Sequence, residues 1–236
     1  QLVAYGAQDV YLTGNPQITF FKVVYRRHTN FSMECIEQTI NGSQAAQANN
    51  NGTVTISRNG DLVHKVFVTV PFGTAAKTNG SGTVQSVELE IGGQRIDRHT
   101  NEYMNIINEL TTPESKALGL KAMMCDVGIL GTNTTGVRNL HVPLHFWFCR
   151  NPGLALPLIA LQYHEVKLKF TWGAGGAGGD NCQVWCDYIY LDTDERRRFA
   201  QVSHEYLIEQ LQKQSADASG SFKLNFNHPV KELIWT

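Results

Sequence analysis

Four segments of the sequence alternate apolar and polar residues with a period of two, and this pattern constrains the fold more than any other feature. They are residues 62–70, 87–91, 166–172 and 184–190. A strand with one buried face has this period, whereas a helix repeats every 3.6 residues. The pair Gly92-Gly93 supplies the positive φ angles of a tight hairpin and places residues 94–97 on the return strand. Short strands separated by Gly-, Asn- and Pro-rich turns predict an all-β, antiparallel jelly-roll sandwich.

Short helical insertions interrupt this pattern. Apolar residues from Tyr103 to Leu110 fall at helical spacing, and a second helix is predicted with Thr112 as N-cap and Pro113 at its first position. We expect both helices to flank one sheet edge. Asp194 is predicted to cap another short helix that ends at Phe199. The run 140–149 is apolar on both faces, which predicts a strand covered on both sides.

The C-terminal part of the chain has a different residue pattern and composition. Residues 205–212 are ambiguous between helix and strand, with strand favoured, and residues 214–221 are rich in Ser, Ala and Gly. A new alternation begins at Phe222. The predicted organisation is an extended N-terminal arm (1–30), a first jelly roll (31–200), a linker region (201–221) and the opening strand of a second, truncated jelly roll (222–236).

Composition restricts the class of protein. Hydrophobic residues make up 42% and charged residues 17%, which is enough apolar surface for a packed core. A net charge of −1 argues against a surface built to hold nucleic acid directly. Five scattered cysteines do not resemble a disulfide framework and favour a reducing compartment. Without a signal-peptide pattern or a long apolar run, we expect a soluble, unsecreted protein.

No residue set predicts catalysis, a metal ion or a cofactor. His141, His145, His164 and Glu165 imitate the metal ligands of a cupin-type jelly roll, but His141 and His145 would lie about 13 Å apart on a strand. Cys182 and Cys186 are also too far apart for a zinc knuckle, and buried small side chains are the simpler interpretation. The glycine-rich run 173–179 lacks the Lys-Ser/Thr of a phosphate-binding loop.

Two kinds of sugar-related site are conceivable. Possible N-glycosylation triplets begin at Asn30, Asn41, Asn51, Asn79 and Asn133. Such triplets also make good turns, and without a signal peptide we expect them to stay unused. A carbohydrate-binding jelly roll is the rival function, because Trp147, Trp172 and Trp185 lie on predicted strands, although most tryptophans on strands belong to the core.

Several long stretches resemble one family. They are 5–22, 25–27, 88–97, 152–166 and 204–210. These stretches are similar to the major capsid protein of nucleocytoplasmic large DNA viruses, and most of all to those of algal viruses. The resemblance runs essentially from end to end of the chain.

The resemblance implies a non-enzymatic shell protein with two jelly rolls, of which this chain carries the first. Three copies would form a pseudo-hexagonal capsomer that tiles an icosahedral shell, with loops 73–82 and 128–136 at the exposed end. The N-terminal arm would lie at the inner base, facing minor capsid proteins and an inner membrane, without direct contact to nucleic acid. The virion would be assembled in the host cytoplasm.

Overall fold

The computed structural model describes residues 29–71, 80–124, 139–173, 181–215 and 221–235. The described residues form ten strands: β1 Phe31–Gln38, β2 Ile40–Gly42, β3 Asn51–Thr55, β4 Leu62–Pro71, β5 Val84–Ile91, β6 Gln94–Thr100, β7 Asn139–Pro143, β8 Leu156–Pro157, β9 Val166–Trp172 and β10 Gln183–Leu191. All four alternating segments are therefore confirmed as strands. The hairpin is confirmed as well, with φ of +60° at Gly92 and +84° at Gly93.

The strands form two antiparallel sheets that pack face to face. One sheet has the order β1-β10-β4-β7, with β8 paired to β4, and the other has the order β2-β3-β9-β5-β6. The chain crosses repeatedly between the sheets, so that strands distant in sequence become neighbours, as in a jelly roll. The predicted fold class is confirmed.

The core lies between the two inner faces. Alternation puts Val87, Leu89 and Leu168 of one sheet opposite Val68 and Val184 of the other, and all five are fully buried. The registers Leu89↔Leu168 and Val68↔Val184 keep these side chains on the inner faces. A shift of one residue would turn each apolar set toward solvent, which is why the alternation specifies the pairing so strongly.

Main-chain hydrogen bonds tie the connections together at each end of the sandwich. At one end Cys182 N–H donates to Gln44 O, and Gly173 N–H donates to Thr83 O, both at 2.8 Å. The connections after β2, β9 and before β5 therefore meet there. At the opposite end Gly92 N–H donates to Glu165 O at 2.9 Å, which joins the β5–β6 hairpin to the segment before β9.

The described residues include four α-helices: α1 Asn101–Thr111, α2 Glu114–Met123, α3 Trp147–Arg150 and α4 Thr193–Gln201. The prediction that Thr112 caps the second helix is wrong. Thr112 ends α1, because its N–H donates to Asn108 O, and Pro113 is the N-cap of α2. Helix α1 contacts β5 and β6 whereas α2 contacts β7, so the pair covers an edge of each sheet instead of one sheet edge.

Helix α4 begins two residues earlier than predicted. Asp192, and not Asp194, is its N-cap, and the Asp192 carboxylate accepts the N–H of Thr193. The helix lies on the outer face of the β1–β10–β4–β7 sheet, where Phe199 packs against Leu62 and Ile189. The short basic run of this helix remains exposed to solvent.

The predicted single strand over 140–149 is wrong in its second half. Strand β7 ends at Pro143, which has no N–H to continue a ladder, and Leu144 makes the last main-chain bond to Val66 O. The chain then turns inward and forms α3, with Trp147 and Phe148 buried. A short apolar run is compatible with a buried helix as well as with a strand, so the pattern alone did not separate them.

Residues 202–215 and 221–235 form neither helix nor strand in the structure. The strand favoured for 205–212 is therefore wrong, and the alternation after Phe222 is not part of a sheet here. The assignment of residues 222–236 to a second jelly roll remains a prediction. Residues 1–28 of the N-terminal arm and residues 216–220 of the linker region lie outside the described residues.

Candidate assembly surfaces

The histidines considered as metal ligands lie in separate places. His141 is half-buried on β7, with its Nδ1 3.1 Å from Thr69 Oγ1. His145 Nε2 lies 2.6 Å from Asn108 Oδ1 on α1. His164 lies beside Gly92 at the other end of the sandwich. Among the described residues, no three His, Cys, Asp or Glu side chains converge on a point that could hold a metal ion.

The cysteines considered as zinc ligands, Cys182 before β10 and Cys186 within it, are core residues. Cys182 and Cys186 are both buried, and Cys186 packs between the sheets. Burial raises the pKa of the Cys186 thiol well above its usual range, and it does the same for Cys149. A protonated, buried thiol is a poor metal ligand, so the interpretation as small core side chains is confirmed for both residues. Cys125 lies outside the described residues.

Two of the three tryptophans considered for sugar binding are inaccessible. Trp147 is buried beside Phe148, and Trp172 stacks on Phe170 with ring centroids 5.0 Å apart. The Trp172 Nε1–H donates to Ser43 O at 2.8 Å. Trp185 is half-buried on the outer face of β10. A sugar-stacking platform of several tryptophans is therefore not formed.

The glycosylation triplets differ in what the structure describes. Asn30, Asn41 and Asn51 are exposed, the last two on β2 and β3 at one edge of a sheet. Asn79 and Asn133 lie outside the described residues. Exposure is necessary for modification but does not cause it, so the expectation that these sites stay unused remains a prediction.

Apart from Tyr163, the large apolar side chains that are exposed among the described residues lie in three places, and the sequence alternation did not identify them. The first place is the outer face of β1, with Phe31 and Met33. The second is the α1–α2 pair. The third is residues 202–235, which we call the C-terminal segment. The exposed residues of the last two places are Leu110, Leu118, Met123, Val202, Leu207, Ile208, Phe222, Leu224, Val230, Leu233, Ile234 and Trp235. Apolar surface of this extent is typical of a region that contacts another protein surface.

Polar contacts fasten the C-terminal segment to the sandwich. Glu209 pairs with Arg150 beside α3 and with Lys231 of the segment itself. The hydrogen bond and charge of Lys231, together with Arg150, hold the pKa of Glu209 below its usual value. Lys213 Nζ lies 3.3 Å from Glu102 on α1. These pairs are exposed, so each contributes little to stability.

A buried acid–base pair lies at the same edge. Asp97 and His99 occupy alternate positions on β6, opposite Leu89 and Val87, and therefore face the core. Both are almost fully buried, and His99 Nε2 is 2.8 Å from Asp97 Oδ2. Sequence reasoning missed this pair, because the register shift at Ile96 reverses the faces that regular alternation from the Gly92-Gly93 turn would assign. A cleft of about 560 Å³ lies between β6 and residues 210–215.

We expect the stability of the chain to fall on acidification because of His145. Burial lowers the pKa of His145 to about 4, and the charges of His99 and Arg150 act in the same direction. In the unfolded chain a histidine titrates near 6.5, so between pH 6.5 and 4 the unfolded state holds a proton that the folded state lacks. Lowering the pH from 7 to 4.5 should therefore cost about 2 kcal/mol through this residue.

Urea denaturation of the wild-type chain and of His145→Gln at pH 7 and pH 4.5 measures this contribution. The variant cannot titrate at this position, so its loss of stability on acidification should be smaller by about 2 kcal/mol. Glu102 and Glu209, whose pKa values are lowered, destabilise both proteins alike at acid pH. An identical loss in the two proteins would contradict the assignment to His145.

No helix within the described residues is long and apolar enough to cross a membrane. The described surface has exposed apolar faces and a C-terminal segment that ion pairs hold against the sandwich. These features are suited to contacts between proteins.

The comparisons with known proteins agree with this arrangement. Residues 19–192 match the family described as major capsid protein N-terminus, and residues 195–236 match the large eukaryotic DNA virus major capsid protein family. The chain is 57% identical over 253 residues to the major capsid protein of Pyramimonas orientalis virus, covering all of this chain and 63% of that protein. It is 48% identical over 266 residues to that of Paramecium bursaria Chlorella virus 1, covering 59% of it. The chain thus spans about three fifths of the length of these relatives.

Solved structures give the same result. In the quasi-atomic structure of the PBCV-1 virus capsid, one chain superposes with a TM-score of 0.68 and 44% identity over 82% of this chain and 50% of that chain. The Faustovirus major capsid protein superposes with a TM-score of 0.57 at 12% identity, over 83% of this chain and 60% of that one, and supports the fold alone. With family matches that extend from residue 19 to the end, the chain belongs to the major capsid proteins of large eukaryotic DNA viruses.

Proposed function

We propose that the chain is the first jelly roll of a structural shell protein that associates with copies of itself in a virion capsid and performs no reaction. The observation that carries this proposal is the exposed apolar surface on an otherwise well-packed sandwich. Phe31 is 63% exposed, Leu118 is 62% exposed and Leu207 is 90% exposed. Surfaces of this kind are buried when subunits associate.

The finer organisation is also a proposal. A second jelly roll beside the first would give the C-terminal segment a surface to pack against, with residues 222–236 as its opening strand. Three such proteins would form a pseudo-hexagonal capsomer, because six similar sandwiches around one axis approximate a hexagon. Neighbouring capsomers would complete the icosahedral shell, assembled in the host cytoplasm.

The remaining partners follow from the resemblance of the N-terminal stretch. The arm, residues 1–30, would face minor capsid proteins and the inner membrane side. Direct contact with nucleic acid is not proposed, because a net charge of −1 argues against a surface built to hold it. Helix α4 carries three arginines, but acidic residues flank them, and Arg196 pairs with Asp61 at 3.1 Å.

Light scattering coupled to size exclusion tests the trimer. The complete protein, including the region that follows this chain in its relatives, should elute at three times its monomer mass. Phe31→Asp, Leu118→Asp and Leu207→Asp probe the three exposed apolar places separately. A charge in a buried contact should dissociate the trimer, and Arg197→Ala on the exposed face of α4 serves as the control. A complete protein that stays monomeric at micromolar concentration would contradict the proposal.

A further inference from the structure

Part of the C-terminal segment runs along the free edge of β6. β6 is the last strand of its sheet, so one side of its main chain has no neighbouring strand. Unpaired main-chain groups at an edge invite pairing with other chains unless something covers them. Residues 210–213 lie beside this edge without forming a ladder, and Gln210 Nε2–H donates to Ile96 O at 2.6 Å. A register shift at Ile96 interrupts the pairing between β5 and β6 at this point.

The Asp97 carboxylate reaches across this edge. Its Oδ1 accepts Arg98 N–H at 2.8 Å and Leu211 N–H at 3.0 Å, while Oδ2 accepts from His99 Nε2 at 2.8 Å. Asp97 is only 4% exposed. A buried carboxylate is stable only when donors surround it, and Leu211 supplies the donor that comes from outside β6. Displacing residues 210–213 would therefore leave a buried charge with one donor fewer.

The pair is held rigidly from the core side. The His99 ring stacks on Phe146, with centroids 4.6 Å apart, and contacts the Tyr103 ring at 4.7 Å. These two contacts fix the imidazole and aim Nε2 at Asp97. His99 Nδ1 has no hydrogen-bond partner among the described residues, so the hydrogen bond of Nε2 to Asp97 is the one that orients the ring there. Asp97 thus has a fixed position before the segment docks.

We propose that the Asp97–His99 pair is a latch that fixes the course of residues 209–213 along β6 and thereby sets the direction in which the chain leaves the sandwich. Asp97 acts as a positioning residue. The flanking ion pairs of Glu209 and Lys213 are exposed and weak, so they guide the segment, whereas the partly buried hydrogen bond from Leu211 to Asp97 determines its register. The latch belongs to the chain itself, and its test does not depend on the proposed trimer.

Hydrogen–deuterium exchange of the 236-residue chain measures the latch. Asp97→Asn keeps the shape and one acceptor oxygen but removes the charge, and it should speed exchange in residues 205–215 about fivefold. Leu211→Pro removes the donor N–H and leaves the sandwich core untouched, so exchange in the remaining amides of 205–215 should rise about tenfold or more. In the double variant the two effects should not add, because both remove the same hydrogen bond.

Gln214→Ala is the matched control, because the Gln214 side chain bonds to Lys223 O and Asn225 N and not to β6. It should leave exchange in 205–213 unchanged. Strand β9, Val166–Trp172, reports on the core and should stay protected in Leu211→Pro. If Asp97→Asn unfolds the chain, the exchange in residues 205–215 of Leu211→Pro tests the proposal by itself. Unchanged exchange in 205–215 of Leu211→Pro, or additive effects in the double variant, would overturn the latch.

Discussion

Replacing Trp172 with alanine is expected to lower the free energy of unfolding of the chain by about 3–5 kcal/mol. The indole is fully buried and stacks on Phe170, so truncation removes a large apolar contact and leaves a cavity between the sheets. It also leaves Ser43 O without its donor. Urea denaturation followed by circular dichroism measures the loss. Trp172→Phe should recover part of it, because the ring remains while the N–H is missing.

Trp235→Ala is the matched control, because the Trp235 side chain is 82% exposed in the C-terminal segment. Its substitution should change the free energy of unfolding by less than about 0.5 kcal/mol. If Trp172→Ala were no more destabilised than Trp235→Ala, the packing of Trp172 between the two sheets would be wrong, and an exposed, ligand-accessible indole would have to be considered again.

Replacing Gly173 with alanine is expected to destabilise the chain by about 3 kcal/mol. A Cβ at this position would lie 2.2 Å from Gly82 O and 3.3 Å from Gly82 C. Both are main-chain atoms, so the clash cannot be relieved by a rotamer change. Gly173 N–H also donates to Thr83 O, which holds the two segments together at the end of β9. Separation of the segments would break this bond. Thermal or urea denaturation measures the change.

Gly119→Ala supplies the control with the opposite sign. Gly119 lies inside α2, and a Cβ there would meet no atom within 4 Å. Alanine should therefore raise the free energy of unfolding by about 0.5–1 kcal/mol, since glycine is unfavourable inside a helix. A loss of stability in Gly119→Ala equal to that of Gly173→Ala would show that the close contact at Gly173 is not the cause.

The sandwich could be predicted from the sequence because a strand with one buried face needs an apolar residue at every second position. In β9, Val166, Leu168 and Phe170 face the core while Lys167 and Lys169 face solvent, and no other structure produces this order. The same reasoning failed over 140–149, where both faces are apolar and the pattern carries no period. It also failed for 205–212, because contacts with β6 set the conformation there and local preferences do not.

The functional surfaces were less predictable than the fold. Whether Phe31 or Leu207 is buried depends on what packs over it, and alternation or composition does not contain that information. The burial of Asp97 and His99 could not have been predicted from the Gly92-Gly93 hairpin, because regular pairing from that turn would put Ile96 opposite Leu89, and only the register shift at Ile96 turns Asp97 and His99 to the inner face. The hydrogen bond from Leu211 N–H to Asp97 could not have been predicted either, since Asp97 and Leu211 are far apart in sequence and meet only through the fold.

Several connections meet at one end of the sandwich. Changes in the length of these connections and substitutions between the sheets therefore have different costs in stability. Lengthening a connection there leaves the ladders of both sheets intact, and each doubling of a flexible loop costs only about 0.6 kcal/mol. Substitutions between the sheets, as at Trp172, cost several times more. Longer connections at that end therefore cost less stability than substitutions between the sheets.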